Sequence, residues 1–150
     1  MATGKLNAGT KTSLTVTGLG TLASATYVAS SVYDASANDP VDLVVELVLA
    51  TTNTPAGNKQ AVVFAQASYD NSVFQSGPTS GTTTTDEPDL TFLGTVPMNT
   101  ATTTHTKSFS VGSAYGGALP PYVKIIIKND LGVALTSGTA ATIEYSYTVA

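Results

Sequence analysis

The chain of 150 residues has no cysteine, no tryptophan and no arginine, and it has a single histidine. Without cysteine there are no disulfide staples and no thiolate metal ligands. Without arginine there is no guanidinium fork for a bidentate grip on phosphate or carboxylate. Charged residues are 11% of the chain, and the basic ones are six scattered lysines against ten acids, for a net charge of -4. A nucleic-acid binder needs a basic stripe with interleaved aromatics, and the lysines form none. No apolar run approaches the roughly 18 residues that span a bilayer. The start MATGKLNAGTKTS lacks the basic and apolar regions of a secretory signal. The expectation is a non-enzymatic protein made in a cytoplasm, with no cofactor and no nucleic-acid or membrane partner.

What the chain has instead is threonine and serine, which together fill about a quarter of its positions. Its hydrophobic residues, 42% of the total, are enough for a core in one domain of this length. They recur with a period of two, the signature of strands. VDLVVELVL (41–49) puts Val41, Leu43, Val45, Leu47 and Leu49 on one face. YVKIIIK (122–128) puts Val123, Ile125 and Ile127 inward, with Lys124 and Lys128 outward beside Ile126. TIEYSYTV (142–149) is expected to bury Ile143, Tyr145, Tyr147 and Val149. AVVFAQASY (61–69), apolar on both faces, reads as a central strand. Weaker strands are expected at 12–19, 25–33, 90–96 and 107–112.

Turn chemistry separates these runs: ASANDP, TTNTPAGN, SGPTSGTTTTDEPD, AYGGALPP and KNDLG. About eight short strands so punctuated predict an all-β fold, an antiparallel β-sandwich or jelly roll over residues 11–150. Residues 1–10 are expected to form a flexible N-terminal arm, either frayed or ordered against a neighbouring subunit. Lys5, Leu6 and Asn7 within that region, with Lys11 just after it, are the candidate partner contacts.

Catalytic and ligand motifs are sparse. Asp86, Glu87 and Asp89 in TDEPD are the one place where three carboxylates come close, a weak candidate for a hard cation. A solvated acidic loop is the commoner explanation for such a cluster. Asp42 and Glu46 stand about 13 Å apart along a strand, too far for facing glycosidase carboxylates, and surface pairing is expected. His105 has no nucleophile motif around it and reads as a loop or strand-edge residue. AYGGALPP lacks the Lys-Ser/Thr pair of a phosphate loop, so its glycines are expected to permit a tight crossing. The seven tyrosines are spread along the sequence, and a stacking platform for sugars stays open as an alternative.

Four stretches taken together carry a family resemblance: MATGKLNAGTKTSLTVTGLGTLASATYVAS, NKQAVVFAQASYDNSVFQSGP, TFLGTVPMNT and KSFSVGSAYGGALPPYVKIIIKNDLGVALTSG. With them the chain resembles the small cement or decoration proteins that coat the heads of tailed bacteriophages, most of all the jelly-roll cement type. The resemblance implies a β-sandwich that oligomerises on the outside of an expanded capsid, bridges major capsid protein subunits and resists internal DNA pressure. It implies no reaction and no cofactor. A symmetric homodimer or homotrimer is expected, located in the virion. The alternative function is a carbohydrate-binding or adhesion module on a virion or cell surface.

Overall fold

The alternation in VDLVVELVL becomes a nine-residue strand, β5 (Asp42–Ala50), whose Leu43, Val45, Leu47 and Leu49 are buried while the residues between them are half-buried. The structure, a computed structural model, describes residues 4–149. Before β5 come four short strands, β1 (Gly4–Ala8), β2 (Thr12–Leu14), β3 (Tyr27–Ala29) and β4 (Tyr33–Asp34). After it come β6 (Gln60–Ser68), β7 (Ser80–Gly81), β8 (Thr91–Pro97), β9 (His105–Ser110), the one-turn helix α1 (Val111–Ala114), β10 (Tyr122–Asp130) and β11 (Ser137–Val149). No helix among the described residues is long and apolar enough to cross a membrane.

All the pairings are antiparallel and form two sheets. One has the order β1-β11-β5-β9, with β2 also on β11; the other has the order β7-β3-β10-β6-β8, with β4 also on β10. We count β1/β2 and β3/β4 as single interrupted strands and set aside the two-residue β7. Eight strands then remain, ordered first-eighth-third-sixth and second-seventh-fourth-fifth. That is the jelly-roll order, a double Greek key.

The interruptions have local causes. Between β3 and β4 the Ser30 hydroxyl accepts from the Ile125 amide at 2.9 Å, so a side chain takes the place of ladder geometry. Between β1 and β2 the register along β11 shifts by one residue: Ala8 faces Tyr145, but Thr12 faces Thr142. The extra residue is a β-bulge. The run 12–19 stops being strand at Leu14, because Gly18 turns at φ +87° into a 3-10 turn over Leu19–Thr21. Of the expected arm, residues 1–3 lie outside the described residues, and Gly4–Ala8 is a strand on β11.

The core fills the space between the sheets, with Leu43, Val45, Leu47 and Leu49 facing Val63, Val123, Ile125 and Ile127. A second apolar cluster lies on the other side of the β10 sheet, where Tyr27, Phe64 and Ile126 pack with Leu90. Leu90 ends the segment 76–90, which crosses that face as a flap. This covering explains why β6 is buried on both faces, as its sequence requires.

Two expectations are corrected. In β11 the register sets Ala140 opposite Leu47 and Thr142 opposite Val45, so those positions face the core. Ile143, Tyr145, Tyr147 and Val149 therefore lie on the outer face, and Tyr147 and Val149 are exposed. Alternation tells which residues share a face; the leucine row of β5 decides which face turns inward. Val41, placed by the alternation on the same face as Leu43, precedes β5 and is exposed.

Candidate functional site

The register gathers the tyrosines at one end of the sandwich. Tyr122 opens β10 opposite Ser68, the last residue of β6, so Tyr69 follows at the same end. Tyr33 pairs with Val123, and Tyr145 pairs with Asp42 at the start of β5. Tyr115 follows α1 and donates its hydroxyl to Gln75 Oε1 at 2.9 Å. Tyr147 extends β11 beyond the end of β5. Six of the seven tyrosines thus share one end, and only Tyr27, opposite Lys128, lies toward the other.

Two features project from this end. The first is the turn from Ser68 to Phe74. The Asp70 carboxylate accepts from the amides of Ser72 and Val73, both at 2.8 Å, and from the Ser68 hydroxyl at 3.0 Å. The Val73 and Ser72 amides and the Ser68 hydroxyl hold the Asp70 carboxyl below the usual range. The turn so fixed presents Tyr69 and Val73, which are 79% and 73% exposed. The second is a two-stranded ribbon. β11 pairs with β5 only as far as Tyr145, so Ser146–Val149 and the first residues of β1 continue past the sandwich alone. One face of the ribbon carries Leu6, Tyr147 and Val149, all exposed; the other carries Lys5, Asn7, Ser146 and Thr148. Asn7 Nδ2 donates to Thr148 Oγ1 at 2.5 Å.

Beneath these projections the end is pinned by hydrogen bonds. Glu144 accepts from the Tyr33 hydroxyl and from Asn38 Nδ2 at 3.2 Å. Burial and the Glu144 carboxylate together push the Tyr33 phenol well above its ordinary value. Asp42 accepts from the Gly112 amide at 2.8 Å and from the Ser110 hydroxyl at 2.7 Å, tying α1 to β5. A Cβ on Gly112 would stand 2.7 Å from the Asp42 carboxylate, so this glycine is needed for close approach.

The remaining sequence candidates are dispersed. Lys11 forms an ion pair with Glu46 at the bulge, away from Lys5, Leu6 and Asn7 on the ribbon. Asp42 and Glu46 are held in separate contacts, and His105 opens the edge strand β9 opposite Leu49. Among the described residues no three His, Cys, Asp or Glu side chains converge to hold a metal ion. In particular, Glu87 turns away from Asp86 and Asp89. Its carboxylate accepts from Lys128 Nζ at 2.8 Å and from the Tyr27 hydroxyl.

This Glu87 pin fastens the flap over the second apolar cluster, and it makes the flap pH-sensitive. Partial burial pushes the Glu87 carboxyl up, but the Lys128 and Tyr27 hydrogen bonds outweigh it and hold the group below the usual range. For Lys128, burial works downward, and Glu87 and Tyr27 outweigh it to raise the ammonium. Burial and the Glu87 bond raise the Tyr27 phenol. A depressed carboxyl contributes stability above its unfolded value, lost as pH falls through the folded one. A raised amine or phenol contributes stability below its unfolded value, lost as pH rises through the folded one. The pin is therefore whole between about pH 4.3 and pH 10. Amide exchange in 76–90, corrected for intrinsic rates, is expected to speed up outside that window while β5 stays protected. Glu87→Gln should remove the acid limb; flap protection independent of pH would refute the pin.

No protein-family model matches this chain, and no curated protein matches it in sequence.

Proposed function

We propose that this protein is a structural decoration protein, which binds the outside of a phage capsid and bridges major capsid protein subunits through its tyrosine-rich end. The observation that carries the reading is the convergence of Tyr69, Val73 and the ribbon face of Leu6, Tyr147 and Val149 at one end of a rigid sandwich. Tyrosine supplies large contact area at low entropic cost and is enriched where proteins meet. The jelly-roll strand order agrees with the fold that the resemblance to cement proteins implies. Low charge adds to the support, because a surface of hydroxyls and phenols loses little on desolvation compared with one of ions. On this reading the protein is made in the host cytoplasm and resides on the virion surface. Many copies would act together, with modest contacts adding through effective concentration.

The test is co-sedimentation of the purified protein with phage heads from its source, in unexpanded and expanded forms. Saturable binding at a fixed copy number on expanded heads is expected. Tyr69→Ala and Val73→Ala should each weaken it by about tenfold, the effect of losing one well-placed contact. Both residues are exposed, so neither change should move the melting temperature by more than about 2 °C. Absence of binding to either form would overturn the proposal.

One observation favours a second reading, a carbohydrate-binding module: the Tyr69 ring is held out by a preformed turn, as a sugar-stacking platform requires. Saturable glycan binding abolished by Tyr69→Ala, without head binding, would select it.

A further inference from the structure

A sheet ends in rows of unpaired backbone groups, and proteins blunt such edges with inward charges, bulges, proline or brevity. Three of the four edges here are blunted. β9 turns Lys107 inward, where its ammonium donates to the Thr95 carbonyl of β8 at 2.8 Å. β8, thereby capped, also breaks register opposite Val63 and Phe64 and ends in Pro97. β7 is two residues long. The fourth edge, β1, is five residues of GKLNA with no proline; its bulge comes only after Ala8, and its one charge, Lys5, shares the inner face but is exposed on the ribbon that runs past the sandwich.

The ladder shows which groups this edge offers. The Gly9 amide donates to the Glu144 carbonyl at 2.7 Å, so with Gly9 opposite Glu144 the odd residues of β1 bond to β11. Gly4, Leu6 and Ala8 therefore direct three N–H and three C=O groups away from the molecule. We propose that β1 pairs antiparallel with β1 of a second copy of this chain, about a two-fold axis at Leu6.

The strand is self-complementary in that register. Leu6 meets Leu6 of the other copy, Gly4 meets Ala8, and Lys5 meets Asn7, so no like charges stand opposite. All six outward groups of each copy find partners, giving six new hydrogen bonds. The side chains on the apolar face follow suit. Leu6 and Tyr147 of one copy line up with the same pair of the other, and the small Gly4 and Ala8 leave room for Tyr145, Tyr147 and Val149. A ribbon of two strands is marginal alone in water. Joined this way, it becomes the middle of an eight-stranded sheet, β9-β5-β11-β1 and its two-fold copy. An isologous contact of this kind closes on itself. It deepens the oligomeric side of the function proposed above and does not depend on the capsid as partner.

Light scattering during size exclusion should give twice the 15.2 kDa chain mass. Leu6→Lys and Leu6→Glu, each placing like charges on the axis, should raise the dimer dissociation constant at least about a hundredfold. An equimolar mixture of the two variants should restore the dimer, which shows that both remain folded and that position 6 meets itself. Because the chain has no cysteine, Leu6→Cys gives a clean second readout. It should cross-link into dimers under mild oxidation, and Lys5→Cys should not. A monomeric or trimeric wild type, a dimer that persists in Leu6→Lys, or a mixture that stays monomeric would overturn the proposal. Dimers that ignore heads would sink the decoration reading alone, and monomers that bind heads would sink this one alone.

Discussion

Asn129→Ala is expected to lower the unfolding free energy by about 4 kcal/mol, because the Val133 carbonyl and the Leu131 amide lose their partner and the Leu22 carbonyl keeps only the Leu135 amide. The Asn129 side chain is fully buried near the end of β10. Its Nδ2 donates to the carbonyls of Leu22 and Val133, both at 2.8 Å, and its Oδ1 accepts from the Leu131 amide at 3.0 Å. Its own backbone adds two more bonds, to Thr26 and from Ala25. One amide thus fastens the segment 22–26, the end of β10 and the turn that leads into β11. Each orphaned buried group costs roughly 1–3 kcal/mol, and water entering the space left by the side chain relieves part of the total. For a domain of this size the melting temperature should fall by about 12 °C or more. Asn129→Asp tests the cause with almost no change of shape. It replaces the double donor with an oxygen facing two carbonyls, and burial raises the new carboxyl. That variant's stability should be greatest in acid and fall as pH rises through the folded value. A loss below about 1 kcal/mol for Asn129→Ala in urea denaturation would show that the clamp is not what holds this end. The clamp is remote from Tyr69 and the ribbon, so on the decoration reading proposed above the folded fraction of Asn129→Ala should keep the affinity for heads expected of the wild type.

Asn129 also marks where sequence reading stops. KNDLG carries turn chemistry, yet β10 runs on to Asp130, and the asparagine within it is a core residue. Nothing local distinguishes a turn asparagine from one that also reaches the Leu22 carbonyl in a distant segment. The long strands were legible because their information is local: leucine and valine every second residue in 42–50, and isoleucines in 122–128. The order of the sheets follows from the same strands only once they pair. The tyrosine-rich end was hidden for that reason. Tyr33, Tyr69 and Tyr122 each sit at or beside a strand terminus, a signal present in the sequence, but antiparallel pairing is what carries those termini to one end and sets Tyr145 opposite the start of β5. Glu87 was legible as a carboxylate in an acidic loop. Its contact with Lys128 and Tyr27 depends on a flap crossing the sheet, which no periodicity reports. The inverted face of β11 is a similar case, since Thr142 looks like the outward residue until Val45 is set opposite it.

Gly132→Ala should cost about 3 kcal/mol, and Gly18→Ala only about 1 kcal/mol, although both glycines have positive φ. Gly18, at φ +87°, has nothing within 4 Å of the position a Cβ would take, so alanine there meets only the backbone penalty. Gly132, at φ +76°, has the Gly57 amide nitrogen 2.5 Å from that position and the Gly57 Cα 3.1 Å from it. These are backbone atoms and cannot swing aside as a side chain does. They are also committed, because the amides of Ala56 and Gly57 both donate to the Leu131 carbonyl, at 2.9 and 2.8 Å. Making room for a methyl group means separating the two loops and stretching both bonds, at about 1 kcal/mol each. Gly57→Ala approaches the same crossing from the other side. Its Cβ would stand 2.8 Å from the Gly132 amide nitrogen, but its φ lies outside the left-handed region, so about 2 kcal/mol is expected. The order Gly132, Gly57, Gly18 in denaturant midpoints at equal slope checks the argument; equal losses for Gly132→Ala and Gly18→Ala would show that the loops yield freely. The crossing and the Asn129 clamp share the end opposite the tyrosines. That end therefore carries stability in its backbone contacts, whereas the exposed side chains of Tyr69, Val73, Tyr147 and Val149 all lie at the other.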